Sequence, residues 1–127
     1  MPDNVTYEFA VIRVVPRVER EEFLNVGVIV YCKHKKYLAL RYHLDESRLA
    51  CFSGAAEPAL LADYLRAWEQ VCAGAPAGGR IGALEQHVRF RWLTAARSTI
   101  IQSSPTHPGL CDDPAGELER LFGFFVG

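Results

Sequence analysis

Two β-rich runs, Asn25–Tyr31 and Tyr37–Tyr42, are joined through Lys33-His34-Lys35-Lys36, a polar turn of four residues. A connection this short lets the second strand only fold back beside the first, so the pair is predicted to be an antiparallel hairpin. Upstream, Tyr7–Val15 forms a third β-rich run closed by Pro16, which has no N–H for a ladder. Alternation puts Tyr7, Phe9, Val11 and Arg13 on one side and Ala10, Ile12 and Val14 on the other. Both sides are largely apolar, which predicts a central strand. The charged segment Glu19–Leu24 between the first two runs suits about one helical turn.

Helical periodicity takes over further along. Asp45 is placed to cap a short helix reaching Phe52. From Pro58 to Ala73, Leu61, Tyr64, Leu65, Trp68, Val71 and Cys72 recur at helical spacing opposite Asp63, Arg66, Glu69 and Gln70. Pro58 suits the first turn, and Gly74 with Pro76 suits the stop. The stretch Gly74–Gly82 reads as a loop, Arg89–Trp92 alternates like a strand, and Ser98–Gln102 suits a short strand. Ser103–Gly109 reads as turns, and Asp113-Pro114 as a cap with a first-turn proline opening a helix that carries Leu118, Leu121, Phe122 and Phe125. The expected fold is α+β: a small antiparallel sheet with an N-terminal β-hairpin and two main helices packed on one face.

Composition narrows the function classes. At 127 residues the chain is predicted to be one domain, residues 1–127, able to fold without a metal or disulfide staple. Half the residues are hydrophobic and 23% are charged, which excludes a disordered tail. The net charge of −1 lacks the basic excess that phosphate neutralisation demands, so a dedicated nucleic-acid binder is not expected. Cys32, Cys51, Cys72 and Cys111 make no CxxC unit, and His34, His43, His87 and His107 show no metal spacing, so neither a metal nor another cofactor is expected. Met1-Pro2-Asp3-Asn4 has neither the charged nor the apolar region of an export signal. No apolar run approaches the ~18 residues of a membrane span. The expectation is a cytoplasmic protein with reduced thiols that does not enter membranes.

Arg13, Pro16, Glu21 or Glu22, and Asn25-Val26-Gly27-Val28 together resemble the signature of the bacterial family labelled DUF3037. Residues 97–104 and the closing Leu121-Phe122 helix are similar to that family's C-terminal pattern, so the resemblance spans nearly the whole chain. The label denotes a domain of unknown function. The resemblance implies a small cytoplasmic protein with an accessory role, and a HipA-like kinase as its partner.

Arg13 is the most informative polar residue, because its phase aims it with apolar groups and an unpaired buried guanidinium is costly. It requires either an internal ion pair with Glu21 or Glu22 or an anionic ligand. Asn25 and Gly27 either shape the strand entrance, with Gly27 allowing a bulge, or line a ligand site beside Arg13. Arg97, Ser98 and Gln102 are further anion-gripping candidates, unaccompanied by a glycine-rich phosphate loop. Ser103 and Ser104 lack a nucleophile elbow. The leading expectation is a non-catalytic domain that meets a protein partner or a second copy, through a free sheet edge or through Phe122, Phe124 and Phe125. The alternative is a small enzyme or anion-binding module in which Arg13, Asn25 and Arg97 converge, with Glu22 nearby. A third reading has Arg89, Arg91 and the Lys33–Lys36 turn gripping single-stranded nucleic acid, with Phe90 and Trp92 stacking on bases.

Overall fold

In the computed structural model, which describes residues 4–16, 21–51, 57–74, 76–97 and 99–127, strand β1 (Val5–Val14) lies inside an antiparallel sheet. One edge of β1 pairs with β2 (Leu24–Cys32), which pairs in turn with β3 (Tyr37–Tyr42). Its other edge is shared by two short strands, β4 (Ile101–Ser103) beside Ile12–Val14 and β5 (His107–Cys111) beside Val5–Phe9. The β2–β3 hairpin is as expected, closed by the Lys36 N–H donating to the Lys33 carbonyl at 3.2 Å.

Ser104 fills the gap between β4 and β5. Its N–H donates to the Val11 carbonyl at 2.8 Å, and its Oγ accepts the Val11 N–H at 2.9 Å. A side-chain oxygen thereby stands where a strand carbonyl would, and central β1 keeps its backbone groups satisfied at that point.

The helices cover both faces of the sheet. Ala10, Ile12 and Val14 pack with Leu61, Leu65 and Trp68 of α2 (Pro58–Ala73) and with Phe90 and Leu93 of α4 (Gln86–Thr94). On the opposite face, Tyr7, Val28, Val30 and Cys32 pack with Leu118 and Leu121 of α5 (Pro114–Phe125). The α+β class, antiparallel sheet and N-terminal hairpin stand as expected, but α2 and α5 lie on opposite faces instead of sharing one. The apolar residues on both sides of β1 explain this. A single layer would leave the Val28 and Val30 side open to water, forfeiting about 1.5–3 kcal/mol per large side chain.

A bulge sets the phase of β2. Ile12 pairs with Gly27 and Arg13 with Asn25, leaving Val26 as the extra residue. Val26 and Ile29 therefore share the α2 face although they are three apart. A Cβ on Gly27 would lie 2.7 Å from the Arg41 carbonyl oxygen, so this position holds glycine for a close approach.

Several local expectations are corrected. Arg89–Trp92 is helical, inside α4: Phe90 and Leu93 are buried at a spacing of three, whereas Trp92 is half-exposed. Gly74–Gly82 contains a 3₁₀ turn at Pro76–Gly78 and the short helix α3 (Gly79–Gly82) rather than loop alone. The turn-rich Ser103–Gly109 run includes the last residue of β4 and the start of β5. Pro108 is tolerated there because β5 is an edge strand. Asp45 caps α1 (Glu46–Leu49) as expected, accepting from the Ser47 and Arg48 N–H groups, but the helix stops at Leu49. Asp113 stands at the N-cap of α5 without a side-chain capping bond. Glu21 lies in a turn at φ 54°, and Leu24 opens β2. The rest of the expected 19–24 turn, Phe52 and Ser98 fall wholly or partly outside the described residues.

Candidate functional site

Register assembles a polar row on the α5 face. Arg13 pairs with Asn25 on one side and Gln102 on the other, and directly opposed residues point to the same face. The Arg13 guanidinium lies over the Phe23 ring, 4.1 Å from its centroid, and its buried Nε has no hydrogen-bond partner among the described residues. Asn25 Nδ2 donates to the Phe125 carbonyl at 3.3 Å, tying β2 to the end of α5, while its buried Oδ1 is unpartnered among the described residues. Gln102 turns to the Thr99 carbonyl at 2.8 Å. Glu22 is exposed in the β1–β2 connection, and Gly27 belongs to the bulge.

Beside Asn25 is a hollow of about 200 Å³ lined by His43, Asp45, Arg48 and Phe122. Its charged groups serve the fold. Asp45 Oδ1 caps α1, and Arg48 Nη1 donates to the Val126 carbonyl at 3.0 Å.

Arg97 does not join this row. Its Cζ lies 5.1 Å from the Trp68 ring centroid and 4.8 Å from that of Trp92, and Nη2 donates to the Trp92 carbonyl. Trp68 belongs to the α2-side core and Arg13 alternates away from that side, so the two arginines occupy opposite faces of the sheet. The three-residue convergence of Arg13, Asn25 and Arg97 is not what the fold builds.

Arg97 instead borders a cleft of about 460 Å³, the size of a small-ligand or side-chain site. α2 supplies Tyr64 and Trp68, one turn apart; α4 supplies Trp92; Ile100 and Ile101 form the apolar end. Tyr64 is 47% exposed and Trp92 38%, so the cleft opens to solvent between aromatic walls. Burial pulls the Arg97 guanidinium below its ordinary pKa.

Sequence reasoning found Arg97 but assigned the walls elsewhere. Tyr64 and Trp68 read as one apolar stripe, and Trp92 as part of a strand-like alternation. A signal was present: the chain has only two tryptophans, and both line this cleft.

Arg89 and Arg91 are engaged in the fold. Arg89 Nη1 donates to the Leu84 carbonyl at 3.0 Å and lies 3.4 Å from that of Gly82. Arg91 makes a bidentate pair with Glu8 at 3.0 and 2.8 Å. Phe90 is fully buried and stacks on Tyr31 at 5.1 Å, out of reach of a base. The four cysteines are free thiols, and only Cys51 is exposed. Among the described residues no helix is long and apolar enough to cross a membrane.

None of the curated proteins or solved structures compared with the chain matches it. A family model does, one described as a protein of unknown function (DUF3037), over residues 9–126. With that match covering nearly its whole length, the chain belongs to the DUF3037 family.

Proposed function

We propose that this protein is a non-catalytic interaction domain that seats a protein partner in the Tyr64–Trp68–Trp92 cleft. The observation that carries the reading is the pair of half-exposed aromatics, Tyr64 and Trp92, standing over an apolar hollow beside a guanidinium. Tyr, Trp and Arg are the residues that dominate binding energy at protein interfaces, and they do so from the walls of such pockets. Leu60 and Val88, each one turn before Tyr64 and Trp92 on its helix, are also exposed and extend the apolar surface.

The closing helix is a weaker contact surface. Phe125 is packed against Phe9 at 5.9 Å and Phe122 carries the Arg41 guanidinium at 4.3 Å, which leaves Phe124 as its one strongly exposed ring. Strand addition is also disfavoured at the cleft, because β4 offers only three residues of edge.

The partner to test first is the cytoplasmic HipA-like kinase that the family resemblance implies. Co-expression with the host's kinase is expected to yield an equimolar complex that Trp92→Ala abolishes. Recovery of the monomer alone at high concentration, or a complex unaffected by Trp92→Ala, contradicts the reading.

A further inference from the structure

Among the described residues, Arg97 carries a charge with no carboxylate counterpart. Elsewhere in the molecule Arg66 pairs with Asp63, Arg91 with Glu8, Arg120 with Glu117 and Arg41 with Glu119. Among the described residues no carboxylate lies in salt-bridge contact with Arg97, although it is partly buried and its surroundings are mostly apolar. The guanidinium carbon lies over the Trp68 and Trp92 rings, within cation–π distance of both. One of the guanidinium N–H groups serves the Trp92 carbonyl, and among the described residues the others make no hydrogen bond.

Resting on the docking reading above, we infer that the cleft accepts an acidic segment of the partner, in which a large apolar side chain enters between Trp68, Trp92 and Ile101 while a neighbouring carboxylate meets the edge of Arg97. Three considerations select this occupant. A cation in an apolar site attracts a matching anion most strongly where water is scarce. The guanidinium edge fits a carboxylate geometrically. A phosphate dianion would call for further cationic donors, and among the described residues the other walls carry only neutral polar groups, the Tyr64 and Thr99 hydroxyls and the tryptophan indole N–H groups. The volume of about 460 Å³ holds a large side chain with room for its neighbour.

Both tryptophans line the cleft, so intrinsic fluorescence reports on occupancy directly. The probes are acetyl-Leu-Glu-Leu-amide and acetyl-Leu-Gln-Leu-amide, titrated into the full chain at low and moderate salt. The glutamate peptide is expected to bind about tenfold more tightly, the worth of one charge-assisted hydrogen bond, with the advantage shrinking as salt rises. Arg97→Gln is expected to erase the difference, and Arg97→Lys to keep part of it. Equal binding of the two peptides by the wild type, absence of binding by either, or an undiminished preference in Arg97→Gln overturns the inference. The docking reading fails separately. A kinase complex that survives Trp92→Ala removes docking itself, whereas one lost in Trp92→Ala but retained in Arg97→Gln removes only the acidic segment.

Discussion

The Tyr7 hydroxyl donates to the carboxylate of Glu117, joining the first strand to the last helix across 110 residues of sequence. Arg120, one turn on from Glu117, grips the same carboxylate through Nε at 3.0 Å and Nη2 at 2.6 Å. Tyr7 is buried, so replacing it with Phe keeps the packing and removes the bond. Tyr7→Phe is expected to destabilise the protein by about 2 kcal/mol, the range for a hydrogen bond to a charged group, read from chemical denaturation at neutral pH.

The same contact makes that loss depend on pH. The Arg120 guanidinium, with a smaller contribution from the Tyr7 hydroxyl, holds Glu117 below its ordinary value near 4.5. A depressed folded-state pKa stabilises above the unfolded value, and the benefit disappears as pH falls through the folded one. Burial, helped by Glu117, pushes Tyr7 up from 10 to about 12. A raised folded-state pKa stabilises fully below 10, and the benefit is lost between 10 and about 12 as the unfolded tyrosine ionises first. The stability gap between wild type and Tyr7→Phe is therefore expected to be widest near neutral pH and to narrow at both extremes. Denaturation midpoints across pH check this, and a gap independent of pH contradicts it.

Ser104 is the only buried polar or charged residue among those described, at 2% exposure. Ser104→Ala would strand the Val11 N–H inside the sheet, since its acceptor is Ser104 Oγ. A loss of about 1–3 kcal/mol is expected, together with faster hydrogen exchange at Val11 than at its neighbours in β1.

Gly109 lies under the Tyr7 ring, where a Cβ would fall 2.6 Å from Cε1. Gly109→Ala must displace either the ring or strand β5 and is expected to cost about 1–3 kcal/mol. In the Tyr7→Ala background the same substitution is expected to cost much less, and this double-mutant cycle separates ring contact from backbone preference.

The parts that sequence revealed and the parts that it hid differ in physical kind. Helix α2 was legible because sixteen residues hold one period between a proline and a glycine. The β2–β3 hairpin was legible because its turn is too short for another path. Phe90 and Trp92 were misassigned because four residues cannot separate a period of two from one of 3.6. Strand β5 was hidden by Pro108 and Gly109, whose reasons are tertiary: an open edge for one and the Tyr7 ring for the other. Arg13's phase on β1 was readable, and register then brought it to Asn25 and Gln102. The exclusion of Arg97 was not readable, because it depends on which face of the sheet the α4–β4 connection crosses.

The most direct test of the docking account is a photo-crosslinking amino acid placed in the native host at position 64, beside the cleft, and separately at position 124, on the exposed ring of α5. The account expects one protein crosslinked from position 64 in stoichiometric yield, lost on adding Trp92→Ala, with no such product from position 124. A product from position 124 alone, or one from position 64 that persists with Trp92→Ala, contradicts it.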